Sequence, residues 1–116
     1  MTVGVEGFVQ GLARLGCAPR VDAGLVLYSI EAVDGQRAGH HVETAVSVEE
    51  LAKWPLVPPH WIHLASDVHL TRTNSRPSSR AGWTMHSRQI KDWGDGTNPA
   101  SSWASHVRGV LSEVNS

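Results

Sequence analysis

The chain has 116 residues, of which 41% are hydrophobic and 18% are charged, and this is enough to bury one core, so we expect a single domain over 1–116. Its formal net charge of −1 is close to neutral, and no run approaches the roughly 18 apolar residues that would predict a membrane span. These values argue against a disordered chain and against a membrane protein.

The N-terminal segment and the cysteine content both predict a cytoplasmic protein. Residues 1–6 lack the basic start and the continuous apolar stretch of a signal peptide. Cys17 is the only cysteine, so no internal disulfide can form, which is typical of a reducing compartment. Because a reactive thiol needs a nearby cation or helix N-terminus and Arg20 is the only local candidate, we expect Cys17 to be structural.

The first half of the chain predicts a helix followed by a β-hairpin. A helix over 5–15, ending at Gly16, is predicted by apolar residues that recur every three or four positions: Val5, Phe8, Leu12 and Leu15. Alternating apolar residues predict strands over 25–33 and 41–48, and the Asp34–Gly35 pair between them predicts the turn of an antiparallel hairpin.

The middle of the chain predicts a helical turn, a strand and a long loop. Ser47 with Glu50 three residues later is a capping-box pattern, which predicts a helical turn over 47–54 before Pro55. The Pro-rich segment 55–59 leads into a third strand over 60–65. Residues 66–81 show little periodicity, which predicts a loop of 16 residues.

The last part of the chain predicts a fourth strand and a second helix. A strand within 83–90 would place Trp83, Met85 and Ser87 on one face and His86 and Arg88 on the other. Asn98 and Pro99 are a typical cap and first residue of a helix. Its apolar stripe comprises Trp103, Val107, Val110, Leu111 and Val114. The predicted fold class is α+β, with an N-terminal helix, an antiparallel β-meander, a long loop and a C-terminal helix.

The segment from Trp54 to Trp93 holds a series of motifs in a fixed order: Trp54-Pro55, Pro58-Pro59, the predicted strand over 60–65, Asn74, Gly82 and Trp93. This order resembles the ubiquitin-conjugating enzyme superfamily. In that family an aromatic-Pro and a Pro-Pro precede a strand, a His-Pro-Asn follows, a Gly stands two residues before an Ile-Cys, and a Trp follows that cysteine. The remaining motifs resemble a divergent bacterial branch of the superfamily that carries a Trp, a His and a second Trp in this segment.

Aligning Gly82 with the family's glycine places Met85 where the nucleophilic cysteine stands. Of the His-Pro-Asn motif only Asn74 is matched, and the stretch from Pro59 to Met85 is longer than usual. The order of helix, meander, active-site loop and helix is also that of the family. The resemblance covers about 24–114 and implies a truncated version of the fold, because the chain stops where the family's last two helices would begin.

The resemblance implies a role in a bacterial ubiquitin-like modification pathway, with a ubiquitin-like protein and an activating enzyme as partners. Thioester transfer needs a thiol nucleophile, and the thioether of Met85 cannot form the thioester. We therefore expect a non-catalytic variant that binds the ubiquitin-like protein. The candidate binding residues are Trp83, Met85, Arg88, Trp93, Arg72, Arg76 and Arg80.

A second interpretation makes the chain an atypical acyl-transfer enzyme. His86 stands beside the matched position and could act as a general base or a transient nucleophile, with Asn74 as the donor to the oxyanion. The structural alternative is that His86 hydrogen-bonds the long loop and packs between Trp83 and Trp93. Both interpretations remain open at the level of the sequence.

A third interpretation is a nucleic-acid-binding module. Five of the ten Lys and Arg residues lie within 68–91, where no Asp or Glu occurs, and Trp83 could stack on bases. The near-neutral net charge and the lack of a nucleic-acid motif make this function less favoured. No metal or other cofactor is expected. His60 and His63 are three residues apart in the predicted strand, so their side chains would point to opposite faces and could not both reach one ion. The tryptophans Trp54, Trp61 and Trp103 are expected in the core.

Overall fold

The structure is a computed structural model, and it describes residues 3–70, 73–90, 93 and 98–114. In this part of the chain, two α-helices pack on one face of an antiparallel sheet of six strands. The elements in chain order are α1 (Gly4–Arg14), β1 (Arg20–Asp22), β2 (Leu25–Glu31), β3 (His41–Ser47), a 3-10 turn (Val48–Leu51), β4 (Trp61–Ala65), β5 (Asn74–Pro77), β6 (Trp83–Ser87) and α2 (Pro99–Leu111). The predicted α+β class, with helix, antiparallel sheet and helix in this order, is confirmed.

The strands lie in the order β1-β2-β3-β4-β6-β5. The first four form a meander, whereas β5 occupies the edge of the sheet and β6 returns between β5 and β4. The predicted hairpin is formed by β2 and β3, whose register runs from Leu25 opposite Ser47 to Glu31 opposite His41. The prediction of an uninterrupted loop over 66–81 is wrong, because Asn74–Pro77 pairs with β6.

The capping-box motif forms only in part. The Ser47 hydroxyl accepts a hydrogen bond from the backbone N–H of Glu49 at 3.3 Å, and the 3-10 turn ends at Leu51, earlier than predicted. The Glu50 carboxylate does not complete the motif but accepts the backbone N–H groups of His60 and Trp61 at 3.0 and 3.3 Å. Glu50 therefore ties this turn to the start of β4.

The main core lies between the sheet and the two helices. All five residues of the predicted α2 stripe are buried, and Phe8 and Leu12 of α1 are completely buried. Leu15, which was predicted on the same face, is 39% exposed because the helix ends at Arg14. Burying one such apolar side chain contributes about 2 kcal/mol. Cys17 belongs to this core and is 5% exposed, as expected for a structural cysteine.

The sheet face turned away from the helices is called the open face below. Leu25, Leu27 and Ala45 are buried there under the Trp83 indole. The Arg80 guanidinium stacks on that indole, 5.1 Å from the ring centroid, and its Nη1 lies 3.4 Å from the Asp22 carboxylate on β1. The connection between β5 and β6 therefore crosses the open face and covers part of it.

Candidate functional site

The register of β4, β5 and β6 decides which candidate residues share a face. Trp61, His63 and Ala65 on β4 lie opposite Ser87, Met85 and Trp83 on β6. On the other side of β6, Arg76 lies opposite Met85 and Asn74 opposite Ser87. The predicted alternation of 83–87 is confirmed, and Met85, Trp83, Asn74 and Arg76 all lie on the open face.

A cavity of about 410 Å³ lies on the open face next to Met85. Its walls come from the end of β3, the 3-10 turn, β4, β6 and the end of β5. The lining residues are Ser47, Glu50, Trp61, His63, Pro77, Ser79 and Met85. An indole, a thioether and a proline ring give the cavity an apolar part, while Glu50 and His63 contribute polar groups.

His63 is the buried polar residue of this cavity, with 3% of its surface exposed. Its Nδ1 lies 2.7 Å from the Ser78 hydroxyl, which also accepts the backbone N–H of Arg80 at 3.1 Å. Burial lowers the pKa of His63, with a smaller contribution from His86. The ring is therefore neutral at physiological pH, and Nε2 is the ring nitrogen left for a ligand.

The Trp61 indole forms a fixed wall of the cavity. The guanidinium carbon of Arg76 lies 5.6 Å from its ring centroid, and the His60 ring packs edge-on at 5.2 Å. The expectation that Trp61 lies in the core is wrong, because it is half-buried on the open face. Sequence reasoning gave no site role to Trp61, His63 or Glu50, although Trp61 and His63, two residues apart on a strand, had to share a face.

His86 lies on the face opposite Met85. It pairs with Ile62 on the core side of the sheet and is 4% exposed. Its Nδ1 lies 2.9 Å from the Thr73 hydroxyl, while Nε2 is buried without a partner among the described residues. Burial lowers the pKa of His86. The hydrogen bond to Thr73 matches the structural alternative in which His86 holds the long loop.

Trp83 and Trp93 do not form a common pocket. Trp83 covers the apolar cluster on the open face, whereas Trp93 packs against the main core on the helix side. There the Trp93 indole lies 5.4 Å from the ring of Trp54 and donates from Nε1 to the backbone carbonyl of Pro55 at 2.9 Å. The predicted packing of His86 between these two tryptophans is therefore wrong.

The candidate arginines are spread over the molecule and engaged with other side chains. Arg76 lies over Trp61 and Arg80 over Trp83, and Arg88 forms a paired contact with the Glu113 carboxylate. That carboxylate, as an acceptor and an opposite charge, raises the pKa of Arg88. Arg72 lies outside the described residues. None of the described arginines lines the Met85 cavity, although Arg76 lies opposite Met85 and over the Trp61 ring.

None of the residues that line the Met85 cavity is a cysteine, so the described lining supplies no thiol that could form a thioester. Burial raises the pKa of the Cys17 thiol, with a smaller opposing effect of Arg108, and the thiol lies in the core. Over the described ranges, no cluster of three His, Cys, Asp or Glu side chains could hold a metal ion. Neither described helix is long and apolar enough to cross a membrane.

Comparison of the chain with protein-family models, with curated proteins and with solved structures gave no match in any of the three cases.

Proposed function

We propose that the chain is a non-catalytic, ubiquitin-conjugating-like protein that binds a ubiquitin-like protein of a bacterial modification pathway through the cavity beside Met85. One observation carries the proposal. The residue that the alignment places at the nucleophile position lines an accessible cavity, yet it bears a thioether. A thioether has no proton to lose and cannot carry an acyl group as a thioester.

The position of the only cysteine supports the non-catalytic form of this function. Cys17 is 5% exposed, and burial raises the pKa of its thiol. Met85 faces the open side of the sheet, whereas Cys17 belongs to the core on the helix side. A thiol that is both protonated and separated from the cavity by the sheet is a poor replacement for the missing nucleophile.

The chemistry of the cavity supports a protein partner. Interfaces are centred on aromatic and Met side chains surrounded by polar groups, and here Trp61 and Met85 lie among Glu50, His63 and Ser79. An extended segment of the ubiquitin-like protein would place apolar side chains against Trp61 and Met85. The activating enzyme is the second partner that the resemblance implies.

Binding of the cognate ubiquitin-like protein, measured by calorimetry with the purified chain, tests this function. Met85→Asp and Trp61→Ala should each weaken binding at least roughly tenfold, because each removes a central apolar contact. Val33→Asp is the matched control, since Val33 is 64% exposed on the β2–β3 connection. Binding that is unaffected by either cavity variant would contradict the proposed site.

Adding the activating enzyme and ATP to the same mixture distinguishes the catalytic form from the non-catalytic form, because only the catalytic form should give a covalent adduct. Binding without a covalent adduct supports the non-catalytic form. An adduct that disappears in His86→Ala would favour the atypical acyl-transfer enzyme. Against that form, His86 is buried on the core side of β6, whereas Asn74 lies on the open face. An adduct on Cys17 would contradict both forms.

The nucleic-acid alternative has less support, because Arg80 and Arg88 are paired with the carboxylates of Asp22 and Glu113. Such a module predicts affinity for DNA or RNA that falls steeply with salt and with replacement of Arg72, Arg76 and Arg80. The absence of salt-dependent binding in a fluorescence titration would exclude it.

A further inference from the structure

His63 and Met85 stand directly opposite each other on β4 and β6, and both side chains lie on the open face. Residues paired in this way in an antiparallel sheet have Cβ atoms about 4.5–5.5 Å apart. Both side chains line the same cavity of about 410 Å³. An imidazole and a thioether therefore meet in one cavity, and this pairing depends on the register of two strands, which the sequence alone does not reveal.

The Ser78 hydroxyl fixes the orientation of the His63 ring. It lies 2.7 Å from Nδ1, and its oxygen also accepts the backbone N–H of Arg80 at 3.1 Å. A hydroxyl oxygen has two lone pairs, so it can accept the Nδ1–H group as well. This tautomer leaves the lone pair of Nε2 available for a ligand. Metal-binding histidines usually have such an arrangement, in which the other ring nitrogen donates to a fixed acceptor.

The thioether of Met85 is the softer ligand of the pair. Met85 is half-buried on β6, and Met1 is the only other methionine of the chain. A thioether sulfur with an imidazole nitrogen favours monovalent copper, whereas Mg²⁺ and Ca²⁺ prefer oxygen ligands. Monovalent copper and silver ions readily bind two such ligands in a line. Such a site therefore needs no cluster of three His, Cys, Asp or Glu side chains, which the described residues do not provide.

The rest of the cavity lining suits a bound cation. Trp61 and Pro77 supply apolar surface that limits the access of water. The lining includes one carboxylate, that of Glu50, and neither Lys nor Arg. That carboxylate is held by the backbone N–H groups of His60 and Trp61. Its charge offsets that of Arg76, whose guanidinium stacks on the Trp61 ring.

We propose that Nε2 of His63 and Sδ of Met85 form a binding site for Cu⁺ in this cavity. The imidazole binds the ion in the orientation that Ser78 fixes, and the thioether provides the preference for a soft metal. Binding changes neither the oxidation state of the ion nor any covalent bond of the chain. The site goes beyond the proposed binding of a ubiquitin-like protein, which needs no metal, although ion and partner would occupy the same cavity.

Titration of the purified full chain with Ag⁺, a redox-inert substitute for Cu⁺, tests this site in chloride-free buffer. No ubiquitin-like protein is present, so the two proposals can fail separately. Native mass spectrometry should show one ion per chain, and Cu⁺ added without oxygen should displace the Ag⁺. Ser78→Ala should weaken binding about tenfold to a hundredfold, the usual cost of removing the partner that orients a ligating histidine. Met85→Leu and His63→Gln should each cost at least as much, with circular dichroism confirming that each variant is folded.

Cys17 carries the other sulfur among the described residues, so Cys17→Ala is the matched control. Its thiol is 5% exposed and belongs to the core on the helix side of the sheet, so this variant should bind Ag⁺ as tightly as the wild type. His40→Gln, at an exposed histidine, should do the same. The proposal is overturned if Ag⁺ does not bind, if binding survives Met85→Leu, or if it is lost in Cys17→Ala. Tighter binding of Zn²⁺ than of Ag⁺ would also overturn it, because Zn²⁺ does not favour a thioether.

Discussion

The indole of Trp103 donates a hydrogen bond from Nε1 to the Tyr28 hydroxyl at 2.8 Å, and both residues are completely buried. This bond joins α2 to β2 at the centre of the core. It satisfies the only polar atom of an otherwise apolar indole, and burial raises the pKa of the Tyr28 phenol far above its ordinary value. The phenol is thus a neutral partner at physiological pH.

Tyr28→Phe should lower the free energy of unfolding by about 1–3 kcal/mol, because it leaves the buried N–H of Trp103 without this acceptor. Urea unfolding followed by tryptophan fluorescence measures the change. A double-mutant cycle with Trp103→Phe should give a coupling of roughly 1 kcal/mol between the two positions. Additive effects of the two substitutions would mean that the hydrogen bond contributes nothing.

Gly35 and Gly39, both on the β2–β3 connection, provide a matched pair of substitutions. Both have positive φ, +80° and +85°, so Ala at either position costs about 1–2 kcal/mol in backbone strain. At Gly35 the new Cβ would also lie 2.4 Å from the carbonyl oxygen of Ser112, whereas nothing lies within 4 Å at Gly39. Gly35→Ala should therefore be more destabilising than Gly39→Ala by a further 1–3 kcal/mol or so, measured by thermal unfolding. Equal losses would show that the backbone at Ser112, the C-cap of α2, moves freely to make room for the new Cβ.

The parts of the fold that the sequence predicted are those with a local pattern. In α1 and α2 the apolar residues recur with the period of a helix, so each can be predicted without knowing its neighbours. The edge strands β1 and β5 are exposed at every described position. They carry no apolar alternation and exist because their backbones pair with β2 and β6, which only the three-dimensional structure reveals.

The same limit applies to the candidate site. The face of Met85 follows from alternation within one strand, but the contact of His63 with Ser78 joins residues 15 positions apart and depends on how 78–82 crosses the sheet. The prediction that His86 packs between Trp83 and Trp93 was wrong for a related reason. Trp93 follows the end of β6, so the alternation of that strand did not determine the side of the sheet on which it lies.

Acid should destabilise the protein through three histidines that are neutral in the folded state. Burial lowers the pKa of His106 to about 4, with Arg88 as the second cause, and it also lowers the pKa values of His63 and His86. The unfolded chain, with an ordinary value of 6.5, takes up protons first as the pH falls. Stability is therefore independent of these three groups well above pH 6.5 and decreases below it, by up to roughly 2 kcal/mol for His106 by about pH 5.

Urea unfolding at pH 7.5 and at about pH 5 measures this loss. In His106→Gln the side chain cannot take up a proton, so the loss of unfolding free energy between the two pH values should be smaller. His40→Gln, at an exposed position, is the control and should leave this loss unchanged. Stability that does not change between the two pH values would contradict the neutral, buried state of these rings.

Met85→Cys tests the alignment on which the proposed function rests. If Met85 occupies the nucleophile position, the introduced thiol should accept the ubiquitin-like protein from the activating enzyme in the presence of ATP, giving an adduct that dithiothreitol removes. Thr84→Cys is the matched control, because Thr84 pairs with Leu64 on the opposite face of β6 and should give no adduct. Mass spectrometry after digestion identifies the modified residue. Retained binding without an adduct in Met85→Cys would mean that the cavity binds the partner but that Gly82 and Met85 do not match the family's glycine and cysteine.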